Sequence, residues 1–517
     1  MTTAGIRSVQ LIVGMEVHVE LATRSKMFSR APSPAHPDCD DAGPNTLIDP
    51  VVLALPGALP VMNRAAVEMA MMVGLALRCS IAPFSRWDRK SYFYPDLPKG
   101  YQISQYDLPL CFDGSVEVPA LDERGHIDPH APTTTVGIIR AHLEEDAGKL
   151  LHEAPGGHPI EGSIVDYNRA GTPLLEIVTR PDFRTADQAV SFARMLRNIC
   201  RFLGVSEGVM QKGHMRFEPN INAELTLDDG RLVRTPIVEI KNLNSFKSLR
   251  AAIEHELDQQ PHRWRQDGLA MTPGSKTTRG WDDARGATFV QREKEEAHDY
   301  RYFPDPDLPP VLVDDAWKAR VRERVPELPL SRHRRYVSEY ALDAKEAAAL
   351  VEERDVCFLY EETITQLNTR GIGGNRAGRI AANLILQNLA KRGNERGVHA
   401  HELGISAQQL AGIGALREEG VIGAGAADDL IAQLMREQPG ADPRSIAEQR
   451  GMLIVRDEAA MDRWIQSSIA AHPKAAEDVR AGKLAAVGRL VGEAMKQSGG
   501  KADAAAVRER LLKALGR

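Results

Sequence analysis

The chain changes its sequence pattern in a proline-rich stretch between Pro304 and Pro329, and this change limits the folds that it can adopt. Before this stretch, apolar residues recur at every second position in several segments, which is typical of half-buried β-strands. After it, long segments rich in alanine, leucine, glutamate and arginine carry the spacing of helices. Strands followed by helices predict an α+β fold, with a sheet-rich first part and an all-α second part.

The length of 517 residues predicts several domains, because single hydrophobic cores rarely grow beyond about 300 residues. A second break, Gln438-Pro-Gly-Ala-Asp-Pro, interrupts the helical part. We therefore expect three parts, which cover residues 1–310, 325–438 and 442–517. The last part is locally basic: residues 474–517 contain ten lysine and arginine residues against five aspartate and glutamate residues, although the whole chain has a net charge of -6.

Some individual elements can also be predicted. Val9 to Leu21 has apolar residues at every second position, so we expect a strand that carries Glu16 and His18 on its other face, about 7 Å apart. A closing helix is expected after Asp503, which is suited to cap it. Other helices are expected over residues 341–367, 380–392 and 407–419.

Several classes of protein and site are excluded by absent patterns. The five cysteines lie far apart, with no C-x-x-C pair for zinc and no dense disulfide framework. The N-terminus has no apolar segment of the signal-peptide type, and no run of about 18 apolar residues occurs, so we expect a cytoplasmic protein without a membrane association. A P-loop, a complete G-x-G-x-x-G turn and a G-x-S-x-G elbow are all missing, so a nucleotide would have to be bound in another way.

The segment His142-Leu-Glu-Glu-Asp146 follows an apolar run and offers three consecutive carboxylates. Mg²⁺ prefers oxygen ligands of this kind, so the segment is a candidate cation site; a solvated turn is the alternative. Strict alternation places His142 and Glu144 on one face of a strand and Glu145 on the other. Glu145 would then reach the site of the first two only through a bulge or a break in the strand.

Two further segments are candidates for a site. Lys90 and Lys99 lie among four aromatic residues and two prolines in residues 88–105, where ammonium groups and rings are suited to a phosphate or a terminal nucleotide. An aromatic loop packed on the core is the alternative. Glu176 lies inside the apolar run 174–178, and a buried carboxylate needs a cation, a donor or water. A strand glutamate that faces solvent is the alternative.

Together these segments resemble the B subunits of the tRNA-dependent amidotransferases, which convert Glu-tRNA(Gln) or Asp-tRNA(Asn) into the glutaminyl and asparaginyl forms. The resemblance runs nearly from end to end, and several of its blocks are long. Its blocks are Val13-Gly-Met-Glu-Val-His-Val-Glu-Leu, Ser25-Lys-Met-Phe-Ser, Leu55-Pro-Gly-Ala-Leu-Pro-Val-Met-Asn, Arg89-Lys-Ser-Tyr-Phe-Tyr-Pro-Asp-Leu-Pro-Lys-Gly-Tyr-Gln-Ile-Ser-Gln, His142-Leu-Glu-Glu-Asp-Ala-Gly-Lys, Asn168-Arg-Ala-Gly-Thr-Pro-Leu-Leu-Glu-Ile-Val, Glu239-Ile-Lys-Asn-Leu-Asn-Ser-Phe, Asp299-Tyr-Arg-Tyr-Phe-Pro-Asp-Pro-Asp-Leu, Gly482-Lys and Leu490-Val-Gly-Glu-Ala-Met-Lys.

The resemblance implies a ligase, a glutamine-hydrolysing aspartyl/glutamyl-tRNA amidotransferase that uses ATP and Mg²⁺. It implies a cradle-like catalytic domain over residues 1–310, a helical domain over residues 325–438 and a small helical tail that binds tRNA. ATP would phosphorylate the side-chain carboxylate of the amino acid on misacylated tRNA, and ammonia would then displace the phosphate. The ammonia would come from a partner amidase (glutaminase), the A subunit, and a small C subunit would complete a heterotrimer.

The resemblance also assigns the site residues. His18, Glu145 and Glu176 fall on the metal positions, with Glu16 close to the reaction centre. Lys90 and Lys99 fall on positions that line the ammonia exit and the phosphate region, where ATP would bind.

The chain departs from the family pattern in two places. Asp49 and Val52 stand where many members have a C-x-x-C pair, which removes the case for bound zinc. Arg216-Phe-Glu-Pro-Asn220 stands where many members read Arg-Cys-Asp-Ala-Asn, so the role of Glu218 is open. A rival hypothesis is a tRNA-binding adaptor whose catalytic site has decayed. The feature that favours the enzyme is the joint retention of His18, Glu145, Glu176, Lys90 and Lys99.

Overall fold

The computed structural model describes residues 5–39, 41–123, 125–128, 131–154, 157–293, 300–436, 440–454, 458–499 and 502–516. The chain divides into two compact units, residues 1–331 and residues 332–517. Every strand in the described ranges lies in the first unit, and the second unit is helical, which confirms the predicted α+β fold. The division into three parts stays a prediction, and residue 438, its expected second boundary, lies outside the described residues, as does Asp299.

The first unit contains long strands, short strand pairs and four helices. The strands are β1 (Ile6–Glu20), β2 (Ser80–Ile81), β3 (Phe84–Ser85), β4 (Asp88–Ser91), β5 (Tyr101–Ser104), β6 (Cys111–Val118), β7 (Thr134–Glu145), β8 (Lys149–Ala154), β9 (His158–Asp166), β10 (Pro173–Thr179), β11 (Met215–Leu227), β12 (Leu232–Arg234), β13 (Val238–Lys241), β14 (Thr277–Asp282), β15 (Ala287–Glu293), β16 (Phe303–Pro304) and β17 (Val311–Leu312). The helices are α1 (Arg64–Ala76), α2 (Ala186–Leu203), α3 (Phe246–Asp267) and α4 (Asp315–Glu323).

A ten-stranded sheet organises this unit, in the order β15-β14-β13-β11-β1-β10-β7-β6-β2, with β12 paired to β11. The predicted strand over Val9 to Leu21 is confirmed as the greater part of β1, near the centre of the sheet. One face of β1 is apolar and buried, and helices α1, α2 and α3 pack on the strands around it. The other face of β1 carries Glu16, His18 and Glu20.

Three smaller sheets lie beside the large one, in the orders β16-β4-β5, β17-β3 and β8-β9. Strand β5 packs against β7, and it is paired with β4 in register from Asp88 opposite Ser104 to Ser91 opposite Tyr101. This arrangement brings the aromatic segment of residues 88–105 beside the polar end of β7.

The second part of the chain is built from helices. They are α5 (Pro329–Tyr340), α6 (Ala344–Glu352), α7 (Arg354–Thr369), α8 (Gly374–Asn383), α9 (Ala390–Arg396), α10 (Ala407–Glu418), α11 (Ala424–Leu434), α12 (Pro443–Gln449), α13 (Glu458–Ala471), α14 (Pro473–Arg480), α15 (Val487–Gln497) and α16 (Ala504–Ala514), with a π-helical segment at Leu384–Leu389. Within the described residues, no helix combines the length and the apolar content needed to cross a membrane.

The segments predicted to be helical are helical, but the helices begin and end at other residues than predicted. The helix expected over residues 341–367 is two helices, because Asp343 caps α6 with a capping box and Glu353 is extended between α6 and α7. The helix expected over residues 380–392 begins earlier, at α8, and continues through the π-helical segment into α9. Asp503 caps α16 as predicted, by accepting from the backbone of the first turn. The last helices share a core of their own, which runs from Met461 to Leu515.

Candidate active site

The pairing of three central strands builds a charged cluster on the open face of the sheet. His18 on β1 lies opposite Glu176 on β10, and Glu176 lies opposite His142 on β7. The Nε2 atom of His18 is 3.6 Å from Oε2 of Glu176 and 3.8 Å from Oε1 of Glu144. His18, Glu144 and Glu176 each offer one ligand atom, and these atoms lie within 4.8 Å of one another.

The charges in this cluster depend on each other. Burial disfavours the charged form of His18, but nearby carboxylates, led by Glu176 and Glu218, outweigh burial and raise its pKa to about 9. Burial also disfavours ionised Glu176, but the imidazoles of His142 and His18 hold its pKa well below the usual range. Burial and the charge of Glu176 raise the pKa of Glu144 to about 7. At neutral pH a protonated His18 therefore balances the carboxylates.

The donor set fits a divalent cation. Imidazole nitrogens and carboxylate oxygens are ordinary metal ligands, and Mg²⁺ usually completes its shell with water and substrate phosphates. A cation binds the neutral imidazole, so it would take the place of the proton on His18. His18, Glu144 and Glu176 are therefore the side chains that could hold Mg²⁺ here.

Glu145 lies on the other side of β7 from this cluster. The register of β7 with β10 is continuous from Glu145 to Arg140, so no bulge turns Glu145 towards His18. The Oε1 atom of Glu145 instead forms an ion pair with Lys99 and accepts from the backbone N of Ile103 (3.0 Å). The structure thus brings His18 and Glu176 together, and the third member of their cluster is Glu144. The predicted role of Glu145 as a metal ligand stays a prediction.

Asp146 lies in the turn after β7 and pairs there with two arginines. Its Oδ2 atom lies 2.6 Å from Nη2 of Arg216 and 3.6 Å from Nε of Arg169. Glu20 lies beside this group with only 4% of its surface exposed, and burial and the charge of Asp146 raise its pKa to about 8. Glu20 is therefore held mainly neutral at pH 7, two positions along the strand from His18.

A second group of carboxylates continues the same face. Ligand atoms of Glu16, Glu218 and Glu239 lie within 4.8 Å of one another. Lysines neutralise them: Lys276 is 2.9 Å from Glu239 and 3.6 Å from Glu16, and Lys241 is 3.1 Å from Glu218. The predicted site residue Glu16 thus lies on the face of the His18 cluster but in this neighbouring group.

Lys90 lies near the cluster on the side formed by the β4 and β5 pair. Its ammonium group is 5.0 Å from the ring centre of Tyr300 and 5.9 Å from that of Tyr92. Burial lowers the pKa of His142 to about 4, and the charge of Lys90 adds to that effect; the same charge partly offsets the burial that raises the pKa of Glu144. The structure therefore places the two predicted lysines at different points, Lys90 facing the cluster and Lys99 paired with Glu145.

A cavity lies beside the ion pair of Lys99 and Glu145. Its walls include the apolar side chains of Val51 and Leu97, and the buried Lys26 closes another part of it. The Lys26 ammonium donates to the carbonyl oxygen of Ala170 (2.6 Å), and burial lowers its pKa to about 8. The ion pair thus separates this cavity from the backbone of β5.

The strands that carry these side chains lie within residues 11–319, which match the profile of a family described as the GatB/GatE catalytic domain. Residues 370–515 match a second profile, described as the GatB domain. The chain belongs to the GatB family. The resemblance inferred from the sequence motifs is confirmed.

Relatives of this GatB-family chain are similar over nearly its whole length, and three of them bear the name of the B subunit of an aspartyl/glutamyl-tRNA(Asn/Gln) amidotransferase. The protein of Thermomicrobium roseum is 42% identical over 506 residues, 98% of this chain and 98% of the relative. That of Thermosynechococcus vestitus is 40% identical over 497 residues, 96% and 94% of the two chains. That of Caldicellulosiruptor saccharolyticus is 40% identical over 509 residues, 98% and 99%.

Several residues of this face were not among the predicted site residues. Glu144 is not among the residues that the resemblance assigns to the site, although alternation places it on the face of His142. Lys241 was detectable in the same way, because alternation puts it on the face of Glu239 within one strand. Lys276 directly precedes β14, and no local pattern marks it.

Proposed function

We propose that this GatB-family chain is the subunit that converts a side-chain carboxylate on misacylated tRNA into an amide at the expense of ATP. Its substrates are Glu-tRNA(Gln), Asp-tRNA(Asn) or both, in keeping with the names of the relatives. The observation that carries the proposal is the meeting of His18, Glu144 and Glu176 on one face, with the charge of Lys90 acting on Glu144. A cation site beside a lysine suits phosphoryl transfer, in which negative charge accumulates on oxygen atoms.

The substrate supplies the nucleophile, so the chain needs none of its own. One oxygen of the side-chain carboxylate bonds to the γ-phosphorus of ATP as the bond to ADP breaks, and an acyl phosphate forms. Ammonia then attacks the acyl carbon, and phosphate leaves. Mg²⁺, when bound, offsets the charge of the phosphate oxygens. Lys90 adds positive charge on the same side, whereas Lys99 is paired with Glu145.

We assign different roles to the two neighbouring glutamates. Glu144 faces His18 and Glu176, so it completes the cation site. Glu145 holds Lys99 at the wall of the cavity that contains Val51 and Leu97. This cavity, lined by Val51 and Leu97 together with Lys26, Lys99, Glu145 and Asp146, is the proposed route of ammonia towards the acyl phosphate.

The proposed complex contains three subunits. An amidase A subunit hydrolyses glutamine and supplies ammonia, and a small C subunit completes the heterotrimer, which works in the cytoplasm. The basic tail, residues 442–517, contacts the phosphates of tRNA, since clustered lysine and arginine residues supply much of the affinity for nucleic acid.

The test is ATP-dependent formation of Gln-tRNA(Gln) from Glu-tRNA(Gln) by the chain assembled with its A and C subunits. We expect Glu176→Gln to lower amidation at least about 100-fold, because it removes a ligand of the cation. Glutamine hydrolysis by the same complex should continue. Glu254→Gln, on an exposed position of α3, is the matched control. Full amidation by the Glu144→Gln/Glu176→Gln double variant would refute the assignment, and absence of amidation by the wild-type complex would favour the adaptor hypothesis.

A further inference from the structure

Phe93 is the most exposed of the large apolar side chains in the described ranges, with 90% of its surface open to solvent. The next residue, Tyr94, is 60% exposed. Burying a side chain of this size is ordinarily favourable, so a ring left almost wholly in water has a partner elsewhere or no role.

The loop that carries Phe93 is fixed in place. The backbone N of Tyr92 donates to the carbonyl oxygen of Gly100 (3.2 Å), which closes the loop at its base. The hydroxyl of Tyr167 donates to the carbonyl oxygen of Pro95 (2.9 Å), which ties its middle to another part of the unit. The exposure of Phe93 therefore belongs to a held conformation of the loop.

The ring of Phe93 rests on a glycine. A Cβ atom at Gly100 would stand 3.1 Å from Cε1 and 3.3 Å from Cδ1 of the ring, and Gly100 has a φ of +73°, which favours glycine. One side of the ring is thus supported by backbone, and most of its surface faces solvent. A supported aromatic face of this kind is suited to stacking against a flat partner.

The loop that carries the ring is tied at its base to the end of the strand that bears Glu144. Gly100 directly follows Lys99, whose ammonium group is paired with Glu145, and Glu145 is adjacent in the chain to Glu144 of the cation cluster. A glutamyl group spans only about 5 Å from its ester carbon to its side-chain carboxyl carbon, as four bonds of ordinary length allow. When that carboxyl group reaches the cluster, the nucleoside that carries the ester must lie at its rim.

We propose that Phe93 is the stacking platform for the 3′-terminal nucleobase of the aminoacyl-tRNA. The inference rests on the proposed function, because it takes misacylated tRNA as the substrate. Every base has a flat face that stacks on an aromatic ring, and lysines beside the ring attract the adjoining phosphates. Lys90 lies three residues before Phe93 and supplies that charge, whereas Lys99 is already paired with Glu145. This charge beside a single supported ring favours a nucleotide over an apolar protein surface.

The experiment measures amidation kinetics of the complete heterotrimer with Glu-tRNA(Gln). We expect Phe93→Ala to raise the KM for Glu-tRNA(Gln) by about 5- to 100-fold, the range of losses found when a stacking ring is removed. The kcat at saturating tRNA should change little, because stacking is equally present in the ground and transition states. Phe93→Trp should keep a KM near the wild-type value, whereas Phe93→Leu should behave like Phe93→Ala.

The matched control is Phe289→Ala, which removes a half-exposed ring from β15, the edge strand of the large sheet. We expect it to leave the KM unchanged. Glutamine hydrolysis and co-elution with the A and C subunits should be the same for all these variants and the wild type. Loss of co-elution in Phe93→Ala would overturn the proposal, because it would identify a partner subunit as the occupant of this ring.

A second arm identifies the base. Chemically glutamylated tRNA whose terminal nucleotide lacks its base should show a raised KM with the wild-type complex. Combined with Phe93→Ala, it should show no further rise, because the two changes remove the same contact. Independent, multiplying effects of the two changes would overturn the proposal, as would an unchanged KM in Phe93→Ala. Absence of amidation by the wild-type complex would refute the proposed function itself, and the inference with it.

Discussion

Glu144 and Glu145 are neighbours in the chain, yet we expect their substitution by glutamine to have opposite effects on stability. Glu144 has a pKa of about 7 in the folded protein, against a usual value of 4.5, because it is buried beside Glu176. At pH 8 it is ionised in a place that disfavours its charge. The difference between the two pKa values corresponds to about 3 kcal/mol. In the absence of divalent cations, Glu144→Gln should therefore raise the free energy of unfolding at pH 8 by up to about 3 kcal/mol.

Glu145→Gln should lower the free energy of unfolding. Glu145 is the partner of Lys99, whose side chain is 14% exposed, so the variant leaves a largely buried ammonium group without its counter-ion. Breaking a buried ion pair on one side costs about 3 to 5 kcal/mol. The two adjacent substitutions thus change the free energy of unfolding in opposite directions. A general disturbance of the strand end would lower it in both variants.

Mg²⁺ should then narrow the gap in stability between the two variants, from about 6 to 8 kcal/mol in EDTA to about 3 to 5 kcal/mol. A cation held at 100 times its Kd stabilises the folded state by about 2.7 kcal/mol, and we expect this gain in the wild type and in Glu145→Gln but not in Glu144→Gln. The assay is urea unfolding with EDTA and with Mg²⁺, followed by tryptophan fluorescence. This probe reports mainly on the first unit, which holds Trp87, Trp264, Trp281 and Trp317, whereas only Trp464 lies in the second.

The result that would refute this reasoning is specific. If Glu145→Gln loses the stabilisation by Mg²⁺ and Glu144→Gln keeps it, then Glu145 is the ligand, as the family resemblance implied, and the pairing with Lys99 is broken when the cation binds. Equal destabilisation of both variants in EDTA would show that the charge of Glu144 is not disfavoured in the fold.

The same structure supports three further predictions. Nearby carboxylates raise the pKa of His18 to about 9, so cation binding at pH 7.5 should release close to one proton per site. Calorimetry in buffers of different ionisation enthalpy measures this release. A cation that binds without releasing a proton would show that His18 is not a ligand. Burial raises the pKa of Glu20 to about 8, so the folded state keeps a proton that the unfolded state loses. The Tm of the wild type should therefore fall as pH rises from about 4.5 to 8, and Glu20→Gln should flatten this fall. An unchanged slope of Tm against pH would show that Glu20 is ionised in the folded state. A chain ending at residue 454 keeps α12 with its buried Ile446 and removes the core that begins at Met461. Its complex should bind tRNA more weakly yet hydrolyse glutamine normally. Equal tRNA affinity of the two complexes in a filter-binding assay would exclude a role for the tail.

The fold class and the strands of the site could be predicted because they depend on short-range periodicity. Alternation identified the segment of β1 and placed Glu16 and His18 on one face, and the proline-rich stretch marked the change from strands to helices. Helix limits were harder to predict. The break at Glu353 follows from the local backbone between α6 and α7, and no change in apolar spacing announces it.

The sequence by itself determined the family of this protein, because His18, the glutamates after residue 143, Glu176 and two lysines stand in motifs long enough to identify it. The tertiary structure alone decided which of them meet. Alternation along one strand states which side chains share a face but not which strand pairs with which. The pairing of β1 with β10 joins residues more than 150 positions apart, and β10 in turn pairs with β7. This order sets Glu144 beside His18, while Lys99 pairs with Glu145. Lys276 reaches Glu16 for the same reason, because contacts between distant segments are set by sheet order and leave no mark in local sequence.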